Sequence, residues 1–334
     1  MAHVAIVHAA QFTGALIAIL LAHEFGHYVA ARVHKVDASL PFFLPMPIVS
    51  PFGTMGAVIR MRGTIATRKA LLDIGASGPL AGLVLAVPLY LWGASHGRFV
   101  PVSLEGSVEL GQSLLLRVLD HFAAPGAPPG MELELPPVAF AAWAGMFVTM
   151  INLLPVGQLD GGHVAYALFG PRQDRFAVII HRAMLAFFFV SLASYVTRDF
   201  RAGLGLVRIG SHVRNSIFWL GWFEVLAILG AVANPSRADE PGALTLRTRL
   251  VATLGLVLLP AFEQERAPWL LWIAWFAGLA VLLVMEVRGG VLRPHTLMDH
   301  PATGSAPLDR GRTAIAVLTL VMFALLFMPT PMSM

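Results

Sequence analysis

Eight apolar stretches, each near the roughly 20 residues a helix needs to cross a bilayer, divide this chain from end to end. They lie at 4–33, 70–95, 137–169, 176–196, 215–233, 250–265, 267–287 and 312–330. Only 13% of residues are charged and 57% are hydrophobic, against about 25% charged in soluble domains. The pattern predicts an all-α polytopic membrane protein with roughly six to eight transmembrane helices. The stretch at 250–265 is short, and Pro260 allows it to pair with the next as a hairpin turning at Glu263–Arg266.

A net charge of +4 does not point to nucleic acid, because the arginines sit singly at the ends of apolar spans rather than in a stripe. They read as topology signals, and the expected environment is the lipid bilayer. Arg32, Lys35, Arg60, Arg62, Arg68 and Lys69 crowd the first connection, and Arg172 and Arg175 follow the third span. Both loops are expected on the cytoplasmic side. The 94–136 connection, with Glu105, Glu109, Asp120, Glu132 and Glu134, suits the opposite side. The 197–214 loop conflicts with simple alternation, since it carries Arg198, Arg201, Arg208 and Arg214 where an external segment is due. No Lys or Arg precedes the first apolar run, so a cleaved signal peptide is not expected. The Arg- and Ala-rich composition suits a bacterial cytoplasmic (inner) membrane, and the oligomeric state is not written in the sequence.

Residues 40–62 are apolar yet contain Pro41, Pro45, Pro47 and Pro51, which an uninterrupted helix does not tolerate. A re-entrant loop leading into a short strand around Gly53–Arg60 is expected, lying against protein or a water-filled cavity that satisfies its backbone. Ala124–Gly130 and Ala233–Pro241 read as loops. All recognisable motifs fall within 1–214, and 215–334 reads as additional C-terminal transmembrane helices.

The chemistry begins at His23-Glu24-Phe25-Gly26-His27, inside the first span. Positions i and i+4 of a helix share a face, so His23 and His27 can offer imidazoles to one metal ion with Glu24 alongside. The chain has no cysteine, so further ligands must be His, Asp or Glu. A catalytic zinc site typically uses three protein ligands. Residues 152–163, NLLPVGQLDGGH, break a spanning helix with Pro155, Gly157, Gly161 and Gly162 and present Asp160 as the third ligand. A carboxylate in hydrocarbon is costly unless it stands beside a cation. Glu24 is expected to take a proton from the attacking water and pass it to the leaving nitrogen, and Asn152 to donate to a developing oxyanion.

HEFGH together with NLLPVGQLDGG resembles the HExxH and NxxPxxxLDGG signatures of the site-2 protease family of intramembrane zinc metalloproteases. FGTMGAVIRMRG and ALLDIGASGPLAG extend the resemblance over roughly 10–196, and the 94–136 connection is too short for a PDZ domain, as in the branch that lacks one. The resemblance implies one zinc ion per chain held by His23, His27 and Asp160, with Glu24 as base. It also implies a membrane-anchored protein substrate whose transmembrane segment unwinds and lies as a strand beside the 50–60 segment, with the active site toward the cytoplasmic side.

Other polar residues read more plainly. Gly75, Gly78, Gly82 and Pro79 form a close helix-packing face. His163 reads as a helix-end residue, and His181 and Glu224 as buried, hydrogen-bonded groups that also fit a gate or proton route. His295 and His300 read as solvated. A metal-ion transporter is the competing function, since intramembrane His and Asp also line ion paths. A transporter, however, has no need of a Glu inside the histidine pair and often shows a repeated half, which this sequence lacks.

Overall fold

A computed structural model of the chain describes residues 2–45, 54–61, 65–101, 109–124, 126, 128–233, 244–262, 269–288 and 306–333. Pro47, Pro51, Gly53, Arg62, Glu105, the turn at 263–266, residues 234–241 of the polar stretch, His295 and His300 lie outside them. Among the described residues the chain is helical, with α1 (Ala2–Val33), α2 (Arg68–Ala94), α3 (Leu114–Ala123), α4 (Pro137–Asn152), α5 (Asp160–Phe169), α6 (Gln173–Arg201), α7 (Ile209–Ala233), α8 (Leu246–Phe262), α9 (Trp269–Arg288) and α10 (Arg310–Leu326). Each expected apolar span overlaps a helix, with 263–268 outside the described residues and 327–330 beyond the end of α10. The 137–169 stretch is divided between α4 and α5. Among the described residues five segments are long and apolar enough to cross a membrane: His3–Val33, Arg68–Ala94, Asp160–Arg201, Ile209–Val232 and Trp269–Arg288.

Short strands occupy the connections: β1 (Phe42–Pro45), β2 (Thr54–Val58), β3 (Arg98–Pro101), β4 (Glu109–Leu110), β5 (Met131–Glu134) and β6 (Met332–Ser333), paired as β1–β2, β3–β5 and β4–β6. The β1–β2 pair is antiparallel, with Phe42 opposite Val58 and Phe43 opposite Ala57, and a bulge before Pro45 opposite Thr54. It stands where the proline-rich sequence predicts a strand. The 94–136 connection is more ordered than its composition suggests, holding β3, β5 and the amphipathic α3, whose Leu116 and Leu119 are buried.

Helix ends follow local chemistry. Thr67 caps α2 by accepting from the Ala70 N–H at 3.1 Å, and Pro137 sits at the first turn of α4, where a missing N–H costs nothing. Pro79 and Pro88 lie inside α2, tolerable where neighbouring helices shield the freed carbonyls. Arg68, at the start of α2, donates to the carbonyls of Ala167 and Leu168 at 2.9 Å each, closing the C-terminus of α5.

Two buried clusters flank the middle of α1 and α2. One gathers Leu16, Ile19 and Leu20 of α1, Leu83 and Ala86 of α2, the large side chains of α4, and parts of α6 and α7. The other joins Ala31, Leu72 and Ile74 to Val164 and Ala167 of α5 and Ala316 of α10. α10, although last in sequence, thus packs with α2 and α5. Arg312 anchors it there through Asp73, with contacts of 2.7 to 3.1 Å, and His34 reaches the same carboxylate at 2.8 Å.

Candidate metal centre

Between those clusters α1 presents His23 and His27 from one face, both buried. Opposite them the chain leaves α4 at Leu153, turns through Pro155 and Gly157, and restarts as α5 at Asp160. Gly157 has φ +67°, the left-handed conformation that glycine adopts without strain. The turn is so tight that a Cβ on Gly161 would collide with the Leu153 carbonyl, and one on Gly162 with the Gly157 carbonyl. The Gln173 side-chain amide donates to the Pro155 carbonyl, tying the break to α6. The double glycine thus lets a carboxylate stand at the start of a half-helix, facing α1.

Three ligand atoms converge. His23 Nε2 lies 3.1 Å from His27 Nε2 and 3.2 Å from Asp160 Oδ2, and His27 Nε2 lies 3.2 Å from the same oxygen. Tetrahedral zinc with bonds of about 2.0–2.1 Å spaces its ligand atoms by roughly 3.3 Å, so this triangle fits one face of its coordination shell. Tautomer chemistry agrees. His27 Nδ1 is 2.7 Å from the Ile74 carbonyl, so Nδ1–H donates there and Nε2 is left with a bare lone pair pointing at its partners. Two imidazole nitrogens facing each other at 3.1 Å are satisfied together by a cation, and the carboxylate compensates its charge. Among the described residues this is the one group of three or more potential ligands so arranged.

The layer behind the ligands comes from α2. A Cβ on Gly78 would overlap the His27 ring, reaching Cδ2 and Cε1 at 2.5 Å. Gly82 faces His23 at 3.4 Å, and Gly75 faces His163 and the Asp160 carbonyl at 3.0 and 3.3 Å. These are the glycines the sequence marks as a packing face, and their packing partners are the histidines themselves. That role has no sequence signal beyond small-residue spacing. His163 is held against Gly75, one turn beyond Asp160 and outside the three-atom group.

Glu24 is half-buried beside the triangle and accepts a hydrogen bond from the backbone N–H of Ile59, just past β2. Among the described residues β2 pairs only with β1, leaving its other edge without a strand. The Asn152 amide nitrogen lies 3.4 Å from His23 Nε2, at the last turn of α4. All five residues singled out from the sequence therefore meet at one place.

The sequence model of Peptidase family M50 matches residues 11–191, a stretch that contains the whole site. The chain belongs to this family. Among curated M50 relatives, the probable chloroplastic zinc metalloprotease EGY2 of Arabidopsis thaliana is 33% identical over 165 residues, covering 47% of this chain and 28% of the relative. Probable chloroplastic zinc metalloprotease EGY1 of Oryza sativa subsp. japonica is 35% identical over 160 residues, covering 46% and 27%, and EGY1 of Arabidopsis thaliana is 34% identical over 165 residues, covering 46% and 29%. The chain thus spans less than a third of the length of these M50 proteins. No solved structure matches it. Apolar helices make it a membrane protein, but the chloroplastic relatives do not support the expected bacterial inner membrane.

Proposed function

We propose that this M50 chain is a zinc metalloendopeptidase that cleaves membrane-anchored proteins within or beside a transmembrane segment. The supporting observation is the His23–His27–Asp160 triangle standing next to Glu24 between apolar helices. In this reading His23, His27 and Asp160 hold one zinc ion. When bound, zinc supplies a Lewis acid that polarises a peptide carbonyl and makes water acidic enough to attack near neutral pH. Glu24 takes the proton from the attacking water and returns it to the leaving amide nitrogen, the Ile59 N–H holding its carboxylate in place. The Asn152 amide donates to the oxygen on which negative charge develops. Ile74 and Gly78 fix the His27 ring so that this geometry needs no rearrangement.

A substrate helix cannot present its peptide bonds while they are hydrogen-bonded internally. Addition of an unwound segment to the open edge of β2 exchanges those bonds for inter-strand ones and carries the chain past Glu24. The basic connection between α1 and α2 supports placing this end of the site toward the cytoplasmic side. Residues 1–214 carry the chemistry and 215–334 supply further helices, of which α10 packs on the core. The Glu24 carboxylate between two ligand histidines favours hydrolysis over metal transport. The test is cleavage of a membrane-anchored reporter in vesicles. Glu24→Gln should keep bound zinc and stop cutting. A Glu24→Gln variant that still cuts, or one that still moves metal across the bilayer as the parent does, would remove the protease reading.

A further inference from the structure

A second set of charged groups, distinct from the metal centre, lies in the C-terminal helices. Glu224 of α7, Arg249 and Thr253 of α8 and Glu286 of α9 are all buried, with Glu224 at 1% and Glu286 at 0% exposure. Glu224 shares one face of α7 with Ala227, and Arg249 shares one face of α8 with Thr253, at the i+3 and i+4 spacings that bring side chains together. The Arg249 guanidinium donates to Glu286 Oε2 at 2.7 Å and to the Ala227 carbonyl at 2.8 Å. Among the described residues Glu224 Oε2 meets only the Thr253 hydroxyl, at 3.5 Å, and Glu224 lies within electrostatic range of both Glu286 and Arg249.

Among the described residues the charges do not balance, because two carboxylates share one guanidinium. Among the described residues His181 of α6 also faces this region, stacking on Phe223 with ring centroids 4.2 Å apart. Its Nε2 lies 2.8 Å from the Phe223 carbonyl, so Nε2–H donates there. The neighbouring Arg182 points to the exposed side of α6. Among the described residues Glu224 Oε1, Glu286 Oε1 and His181 Nδ1 are buried without a hydrogen-bond partner. An uncompensated negative charge inside a bundle of apolar helices is costly unless neutralised.

We propose that Glu224, Arg249 and Glu286 form an intramembrane proton-binding site, in which the carboxylate pair holds one proton. Glu224 carries it, since Glu286 already has the guanidinium. A proton suits the site better than a metal cation. Sodium or a divalent ion requires a shell of oxygens, whereas a proton needs one carboxylate oxygen and gives the site the donor it lacks. The site links α7, α8 and α9, so the state of one proton governs how these helices hold together. It is independent of the zinc chemistry and stands whether or not the chain is a peptidase.

The test is infrared difference spectroscopy on the full chain in lipid nanodiscs near neutral pH, with Glu24→Gln as a common background so that its carboxyl does not contribute. The expected result is a protonated-carboxyl C=O band that is lost in Glu224→Gln. It should be lost equally in Glu286→Gln, because one carboxylate then balances Arg249. Arg249→Met should double the band, since neither carboxylate is then compensated. Should Arg249→Met fail to fold, the two glutamine variants carry the test alone, each being the neutral isostere of a protonated carboxyl. A band that survives in both glutamine variants, or is absent from the parent, would overturn the proposal. So would its displacement by sodium but not by choline at constant pH, which would make this a metal-cation site.

Discussion

Gly78→Ala is the smallest change that should disable the metal centre. The added Cβ would lie 2.5 Å from Cδ2 and Cε1 of His27 and closer still to Nε2, whereas carbon atoms in contact rest about 3.5–4.0 Å apart. The ring must retreat by roughly 1 Å to restore that contact. It cannot do so and keep both the 2.7 Å bond from Nδ1 to the Ile74 carbonyl and the 3.1 Å approach of Nε2 to His23. Losing an outer-shell partner of a metal ligand typically costs about 10- to 100-fold in metal affinity, and a 1 Å misplacement of reacting groups costs on the order of 100-fold in rate, about 2.7 kcal/mol. The assay is zinc affinity by chelator competition at fixed pH, alongside reporter cleavage and a thermal unfolding midpoint. Gly82→Ala is the matched comparison, because its Cβ meets His23 at 3.4 Å, an ordinary contact. We expect Gly78→Ala to lose zinc affinity and cleavage while Gly82→Ala keeps both. Equal zinc affinity in the two variants would refute the view that α2 clamps His27 by close approach.

Three other outcomes follow from the geometry. Asp160→Asn should weaken zinc binding more than Asn152→Ala, which should lower the cleavage rate with zinc retained; chelator competition and single-turnover kinetics separate the two. Asp73→Asn should loosen α10 by releasing Arg312 and His34, at a cost of roughly 1 kcal/mol because the pair is partly exposed, read as a lowered unfolding midpoint and faster amide exchange at the start of α10. Asp120, which accepts from the Tyr90 hydroxyl at 2.6 Å, has its carboxyl raised above the usual range by burial, with hydrogen bonds from Tyr90 and Gln112 opposing. The folded chain therefore binds this proton more tightly than the unfolded chain. Its contribution to stability is fully present below the unfolded value of about 4 and is lost as pH rises through the folded one. Asp120→Asn should flatten that decline in a series of unfolding midpoints against pH, and a steeper decline would contradict the sign.

What was legible in the sequence is what hydropathy and covalent spacing control. Apolar length placed the helices, the i, i+4 histidines share a face because a helix has 3.6 residues per turn, and Pro155 with the glycines marked where a span must break to present Asp160. The prolines of 40–62 likewise marked a non-helical stretch, with β2 in the place of the expected strand, whereas β1 over Phe42–Pro45 carries no signal in the sequence. What was not legible depends on which helices touch. Gly78 carries no sign that its neighbour is the His27 ring, and the Ile74 carbonyl carries none that it accepts from that ring. α10 reads as a remote terminal span, yet Asp73 and Arg312, 239 residues apart, bring it against α2. Glu286 attracts no notice at the end of an apolar helix until Arg249 and Glu224 are seen beside it. The chain-order reading of 197–214 missed a buried pair as well: His212 lies 2.9 Å from Asp199, so this arginine-bearing connection is also held from within.

Zinc-edge X-ray absorption on the purified full chain addresses the meeting of α1 and α5 around a single ion most directly. The account requires one zinc per chain in a shell of nitrogen and oxygen at about 2.0–2.1 Å. Two imidazoles should be present, falling to one in His27→Ala, with an oxygen ligand lost or altered in Asp160→Asn. A shell unchanged by Asp160→Asn, or zinc bound without imidazole, would contradict it.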